Sequence, residues 1–123
     1  MRVVIDGKMA MPEGMRYARR YVVKVDGQEI LMRAQLFRVV ALLGLARLTR
    51  DHGWICSDEL EVSGPAGNKV IWRVRRYLSE AGVVDFIEND RQGSYRMTAR
   101  PRINKKALQE FGDATINQML SQL

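Results

Sequence analysis

The chain has 123 residues, 46% apolar and 28% charged, which is enough for one globular domain with a buried core and unlike a disordered or fibrous chain. Its longest apolar run, Val39 to Ala46, is far short of the ~20 residues of a membrane span, and the start Met1-Arg2-Val3-Val4-Ile5-Asp6-Gly7 has no apolar secretion segment. One cysteine, Cys56, and one histidine, His52, exclude an internal disulfide and leave too few ligands for a structural zinc.

Residues 2–32 predict a small antiparallel sheet. Arg2–Ile5 is β-branched, Asp6-Gly7 predicts a hairpin turn, and Lys8–Met11 returns. Pro12-Glu13-Gly14 marks a loop. Arg20–Val25 is a strand candidate closed by a second Asp-Gly pair, Asp26-Gly27, with Glu29–Met32 as its partner.

Residues 34–50 predict the clearest helix. Leu36, Val39, Val40, Leu43 and Ala46 recur at helical spacing, and Leu42, Leu45 and Leu48 widen the stripe. Gly44 costs such a helix about 1 kcal/mol relative to Ala, which predicts a close approach by a neighbour. Asp51-His52-Gly53 ends the helix, and Trp54-Ile55-Cys56 is extended. Ser57 predicts an N-cap for a short second helix with acids in its first turn, broken by Ser63-Gly64-Pro65.

A third helix is predicted from Ala66–Asn68 to about Ala81, with Gly82 as its stop. Its apolar side carries Val70, Ile71, Val74, Tyr77, Leu78 and Ala81. Its other side carries Asn68, Lys69, Trp72, Arg73, Arg75, Arg76 and Ser79. Val83–Ile87 and Tyr95–Thr98 then predict a hairpin with Arg91 at its tip. Arg100-Pro101-Arg102 is a linker. Asn104 caps a final helix carrying Leu108, Phe111, Ile116, Met119, Leu120 and Leu123, split or kinked at Gly112-Asp113.

Charge gives this order a meaning. The net charge is +6, and residues 69–106 hold ten basic and four acidic side chains, so the whole surplus falls on the third helix, the hairpin and the linker. A basic zone on a domain of cytoplasmic type predicts a polyanionic partner. Arginine suits duplex DNA, because its fork bonds two acceptors on guanine or braces a phosphate. A hairpin arginine can enter the minor groove and read its width.

Four segments resemble the OmpR/PhoB-type winged-helix effector domain of bacterial response regulators. They are Leu31–Leu43 (LMRAQLFRVVALL), Gly53–Leu60 (GWICSDEL), Ile71–Leu78 (IWRVRRYL) and Ile87–Met97 (IENDRQGSYRM), in the family's order and covering about residues 20–98. The resemblance implies an α+β fold: a winged helix-turn-helix with an N-terminal antiparallel sheet, three helices, a C-terminal β-hairpin wing and an extra C-terminal helix. Residues 1–32 would form the sheet, 33–98 the winged helix-turn-helix core and 99–123 a C-terminal helical extension. It further implies sequence-specific binding of double-stranded DNA, with the third helix in the major groove and the wing in the minor groove, and dimers on direct repeats.

The candidate DNA-binding residues are therefore Asn68, Lys69, Trp72, Arg73, Arg75, Arg76, Arg91, Tyr95 and Arg96. Trp72 either stacks on a base or sugar or packs on a neighbouring element. Tyr95 and Arg96 anchor the wing or touch backbone. Leu108, Phe111, Ile116, Met119 and Leu120 are a candidate dimer contact, with a helix folded back on the core as the other reading.

The chain departs from the family pattern in several places. No receiver domain precedes residue 1, so phosphorylation control is not expected. Val62–Gly67 is shorter than the family loop that often meets RNA polymerase, which leaves a polymerase contact open. Gly67, Lys69, Gln92 and Ser94 depart from the family's residues, and the helical tail after Asn104 is additional.

His52 and Cys56, with Asp51 and Asp58 near, do not make a nucleophile–base pair. The intervening turn removes the one-face geometry, and no oxyanion motif or glycine-rich phosphate loop accompanies them. The expectation is a cytoplasmic, non-enzymatic regulator of transcription without metal, cofactor or membrane partner. A protein–protein interaction module and a DNA-architectural or recombination accessory factor are the rival readings.

Overall fold

The computed structural model describes residues 1–11, 19–60 and 66–123, apart from the side chains of residues 66–68. The loop expected at Pro12-Glu13-Gly14 and the break at Ser63-Gly64-Pro65 lie outside them, as does most of the short loop 62–67. Within the described residues the chain is α+β. Its order is β1 (Val3–Ala10), β2 (Arg20–Val25), β3 (Gln28–Met32), α1 (Ala34–Thr49), β4 (Ile55–Cys56), α2 (Ala66–Glu80), β5 (Ile87–Asn89), β6 (Ser94–Met97), β7 (Arg102–Ile103), α3 (Lys105–Phe111) and α4 (Ala114–Leu120).

The first sheet has the order β3-β2-β1-β7. Asp26-Gly27 makes the expected two-residue turn: Val25 faces Gln28, and both loop residues have positive φ, 50° and 84°. Asp6-Gly7 does not turn the chain. β1 runs through it, and the register with β2 slips between Ile5, opposite Val23, and Met9, opposite Tyr21. Gly7 serves a bulge instead. Its φ is +69°, and a Cβ there would lie 3.1 Å from Phe37 Cζ. The sheet is not purely antiparallel either, because β7 joins β1 in parallel. The presumed linker at Arg100-Pro101-Arg102 is thus a buried proline leading into a strand.

Helix α1 is covered on nearly every side. Phe37 and all residues from Val39 to Ala46 are buried, because the helix packs against the first sheet, β4, β6, α2 and α4. Gly44 makes the close approach its sequence position predicts: a Cβ would sit 2.1 Å from Ile5 Cδ1 and 3.2 Å from Pro101 Cγ.

The helix expected after Ser57 is not seen in the described residues. Residues 57–60 form a turn in which the N–H groups of Glu59 and Leu60 donate to the Cys56 carbonyl at 3.1 and 3.3 Å. Ser57 does not cap it; its N–H donates to the Gly93 carbonyl at 2.9 Å.

The C-terminal extension begins with β7 and holds two helices of seven residues each. Asn104 caps α3 by accepting from the Ala107 N–H. Gly112, at φ 81°, separates the two helices, and Asp113 caps α4 by accepting from the Ile116 N–H.

The candidate dimer stripe is spent inside the chain. Leu108, Ile116, Met119 and Leu120 are buried in the common core, and Phe111 packs against it. Phe111 meets Tyr21 and Phe37 at ring-centroid distances of 4.8 and 5.3 Å. The physical reason is α1, which is apolar all round and needs cover on the side the first sheet leaves open. Residues from the three expected segments, 1–32, 33–98 and 99–123, contribute to one core.

Candidate nucleic-acid interface

Helix α2 is sharply two-sided. Val70, Ile71, Val74 and Leu78 are buried, one stripe at helical spacing. Lys69, Trp72, Arg73, Arg75, Arg76, Tyr77, Ser79 and Glu80 are exposed. The helix stops as expected: the Val83 N–H donates to the Leu78 carbonyl at 2.8 Å, and Gly82 takes φ +82°. Tyr77 does not belong to the buried stripe. It is 38% exposed, and its hydroxyl donates to the Leu31 carbonyl on β3 at 2.6 Å, fastening α2 to the first sheet.

The exposed cations are held in different ways. Arg75 Nη2 donates to the Ile87 carbonyl at 3.2 Å, which ties the helix to the base of the hairpin. Arg76 pairs with Glu80 one turn on, at 3.4 Å, and its guanidinium lies 5.2 Å from the centre of the Trp72 ring. Arg73 and Lys69 make no ion pair within the described residues. Trp72 is 57% exposed, so packing on a neighbour does not occupy its ring. Asn68 lies on α2, but its side chain is outside the described residues.

The hairpin of β5 and β6 joins β4 in a three-stranded antiparallel sheet of order β4-β6-β5. Its tip is built by side chains that accept from the loop backbone. Asn89 Oδ1 accepts from the Arg91 N–H at 2.7 Å, and Asp90 Oδ1 accepts from Gln92 and Ser94 at 2.8 and 3.0 Å. These bonds hold Arg91 in the left-handed region, φ 63°, with its side chain exposed. A non-glycine residue there costs about 1–2 kcal/mol, so the local hydrogen bonds offset a real strain.

Of the two roles expected of Tyr95 and Arg96, anchoring the hairpin or touching a partner's backbone, the structure shows the first. Tyr95 is 5% exposed and belongs to the core, on the same face of β6 as Met97. Strand alternation explains its burial, since residues two apart share a side. Arg96 points to the opposite side, but it is engaged. It donates to Glu88 at 3.0 Å and to the His52 carbonyl at 3.1 Å, and its guanidinium lies 4.4 Å from the centre of the Trp54 ring. It braces β5, β6 and the loop after α1.

An ion pair stands at the start of that loop. Arg50 grips Glu59 with two hydrogen bonds of 2.8 Å. Chiefly through this bond, the Glu59 carboxyl is pulled down to about 2. The pair connects the end of α1 to the turn after β4. Among the described residues no group of histidine, cysteine or carboxylate side chains is arranged to hold a metal ion. Among them, too, no helix is long and apolar enough to cross a membrane.

Sequence reasoning missed one feature. A groove runs beside α2, lined by Arg20, Arg33, Leu36, Trp72, Arg73 and Arg76 among others. The Asp26-Gly27 turn signals one part of it, since a two-residue loop fixes the register of β2 and β3 and brings their far ends, next to Arg20 and Arg33, together; their approach to α2 has no sequence signal.

Compared with known proteins, the chain matches no family model, no curated protein and no solved structure.

Proposed function

We propose that the chain is a non-enzymatic winged-helix protein that binds double-stranded DNA sequence-specifically and regulates transcription in the cytoplasm. On this reading α2 enters the major groove and the hairpin of β5 and β6 meets the minor groove. The observation that carries it is the open cationic side of α2, with Lys69, Trp72, Arg73 and Arg76 exposed and Arg75 tied to the base of a hairpin whose tip displays Arg91. Arg73 is the residue best suited to base readout, because among the described residues no acid pairs with it. A bidentate arginine–guanine contact discriminates by about 1–3 kcal/mol. Lys69, Arg76 and Arg91 supply phosphate or minor-groove contacts, which give most of the affinity and make it salt-dependent.

Exposure of Trp72 also suits the rival reading, a protein-interaction module, since aromatic and arginine side chains together mark protein interfaces. One experiment separates the two. Duplex sites are selected from a random pool, and binding is titrated at two salt concentrations for the parent and for Arg73→Glu/Arg76→Glu. The DNA reading predicts a recovered sequence preference, weaker binding at higher salt and loss of binding in the double variant. Binding without salt dependence, or equal binding by the variant, refutes it.

A further inference from the structure

We propose that the groove between α2 and the start of α1 is a second phosphate-binding element, gripping the DNA backbone outside the bases that α2 reads; this rests on the duplex-binding reading above. Two arginines outside the helix and hairpin make its far wall. Tyr21 faces Met32 in the last pair of β2 with β3, and Arg20 and Arg33, the latter at the entry to α1, follow at that end of the ladder and line the same groove. Among the described residues neither Arg20 nor Arg33 makes an ion pair, and Arg20 donates only to the neighbouring Arg19 carbonyl, at 3.3 Å.

Across the groove stand Arg73 and Arg76, with the Trp72 ring and Leu36 supplying apolar surface. Among the described residues Glu80 is the one acid in the lining, and it pairs with Arg76. Four guanidinium groups around one carboxylate form a trough of uncompensated positive charge. The four arginines come from β2, from the entry to α1 and from α2, which suits an extended anion with several charges better than a single compact one. A sugar–phosphate strand fits this chemistry: its phosphates meet Arg20 and Arg33, and a deoxyribose face packs on Trp72. The groove also shares Arg73 and Arg76 with the base-reading side of α2, so one duplex engages both without a gap between them.

The test uses the full chain with Arg20→Gln/Arg33→Gln, and Lys105→Gln as a control away from the groove. Probes are the duplex recovered by selection and a mixed-sequence duplex of equal length. Binding is measured across a salt series, with hydroxyl-radical footprinting. Each phosphate contact contributes a slope of about −0.9 in log affinity against log salt, so the double variant should flatten the slope by about 1.8. It should lose affinity equally for both duplexes, lose protection on one flank of the footprint, and melt no lower than the parent. An unchanged slope and footprint in a double variant that melts like the parent overturns the proposal while leaving duplex binding intact. So does a defect confined to polyglutamate binding, which would assign the groove to an acidic polypeptide. Failure of the parent to bind either duplex overturns the underlying reading, and the groove's assignment with it.

Discussion

Replacing Gly44 by alanine adds one methyl where α1 presses on β1. The helix itself should gain about 1 kcal/mol from the change. The new Cβ, however, would stand 2.1 Å from Ile5 Cδ1 and 3.2 Å from Pro101 Cγ, and Ile5 is fully buried. Overpacking of this kind costs about 1–3 kcal/mol, so the net expectation for Gly44→Ala is a loss of about 0–2 kcal/mol. Ile5→Val deletes the obstructing carbon and alone costs about 0.5–1.5 kcal/mol. In the double variant the alanine methyl takes up the vacated volume, so it should be no less stable than Ile5→Val alone. The two changes should therefore couple by about 1 kcal/mol or more, well beyond the scatter of independent sites. Urea unfolding followed by circular dichroism measures all four corners of the cycle, with equal slopes required of each. Gly44→Ala more stable than the parent by its full helix-propensity gain, or strictly additive effects, refutes the close-packing argument.

Asp113 caps α4 and accepts a 2.6 Å hydrogen bond from Arg38 Nε of α1. Asp113→Ala should cost about 2–4 kcal/mol in urea unfolding, combining a lost cap with a lost charge-assisted bond; a loss under about 0.5 kcal/mol means the clasp is idle. The Glu59 carboxyl, held at about 2 mainly by Arg50 against an ordinary 4.5, stabilises the fold when ionised. This contribution is full above pH 4.5 and disappears as pH falls through about 2. Glu59→Gln should flatten that segment of the stability–pH curve, by a small amount because the pair is part-exposed and screened; identical curves for parent and variant refute the assignment.

The sequence announced its elements where one residue pattern has one meaning. Arg20–Val25 and the Asp26-Gly27 turn allow only a hairpin, and Val70, Ile71, Val74 and Leu78 mark the buried side of α2 before any coordinates are seen. Misreadings arose where one residue type serves two geometries. Asp6-Gly7 has the composition of a turn, yet left-handed glycine serves a bulge equally well, and only pairing with β2 decides between them. For Tyr95 motif position leaves anchoring and partner contact both open, whereas its two-residue spacing from Met97 implies a shared buried face.

The stripe from Leu108 to Leu120 reads from its spacing alone as either a dimer contact or a helix folded back on the core. The unbroken run from Val39 to Ala46 held the answer, since a helix apolar on all sides has to be enclosed on all sides. The candidate interface was legible as a charged helix face followed by a hairpin arginine. Its groove was not, because Arg20 and Arg33 meet α2 only through tertiary packing.

The parallel pairing of β7 with β1 has a consequence for how the molecule comes into being. Val4 and Ile5 near the start are matched with Arg102 and Ile103 almost a hundred positions later, so the first sheet is completed only once residues 102 and 103 are available to pair. Contacts that span such sequence distances slow folding and leave apolar surface open in the interval. Until α3 and α4 close over Phe37 and the rest of α1, the basic helix rests on an unfinished foundation, and chains truncated before residue 102 should aggregate.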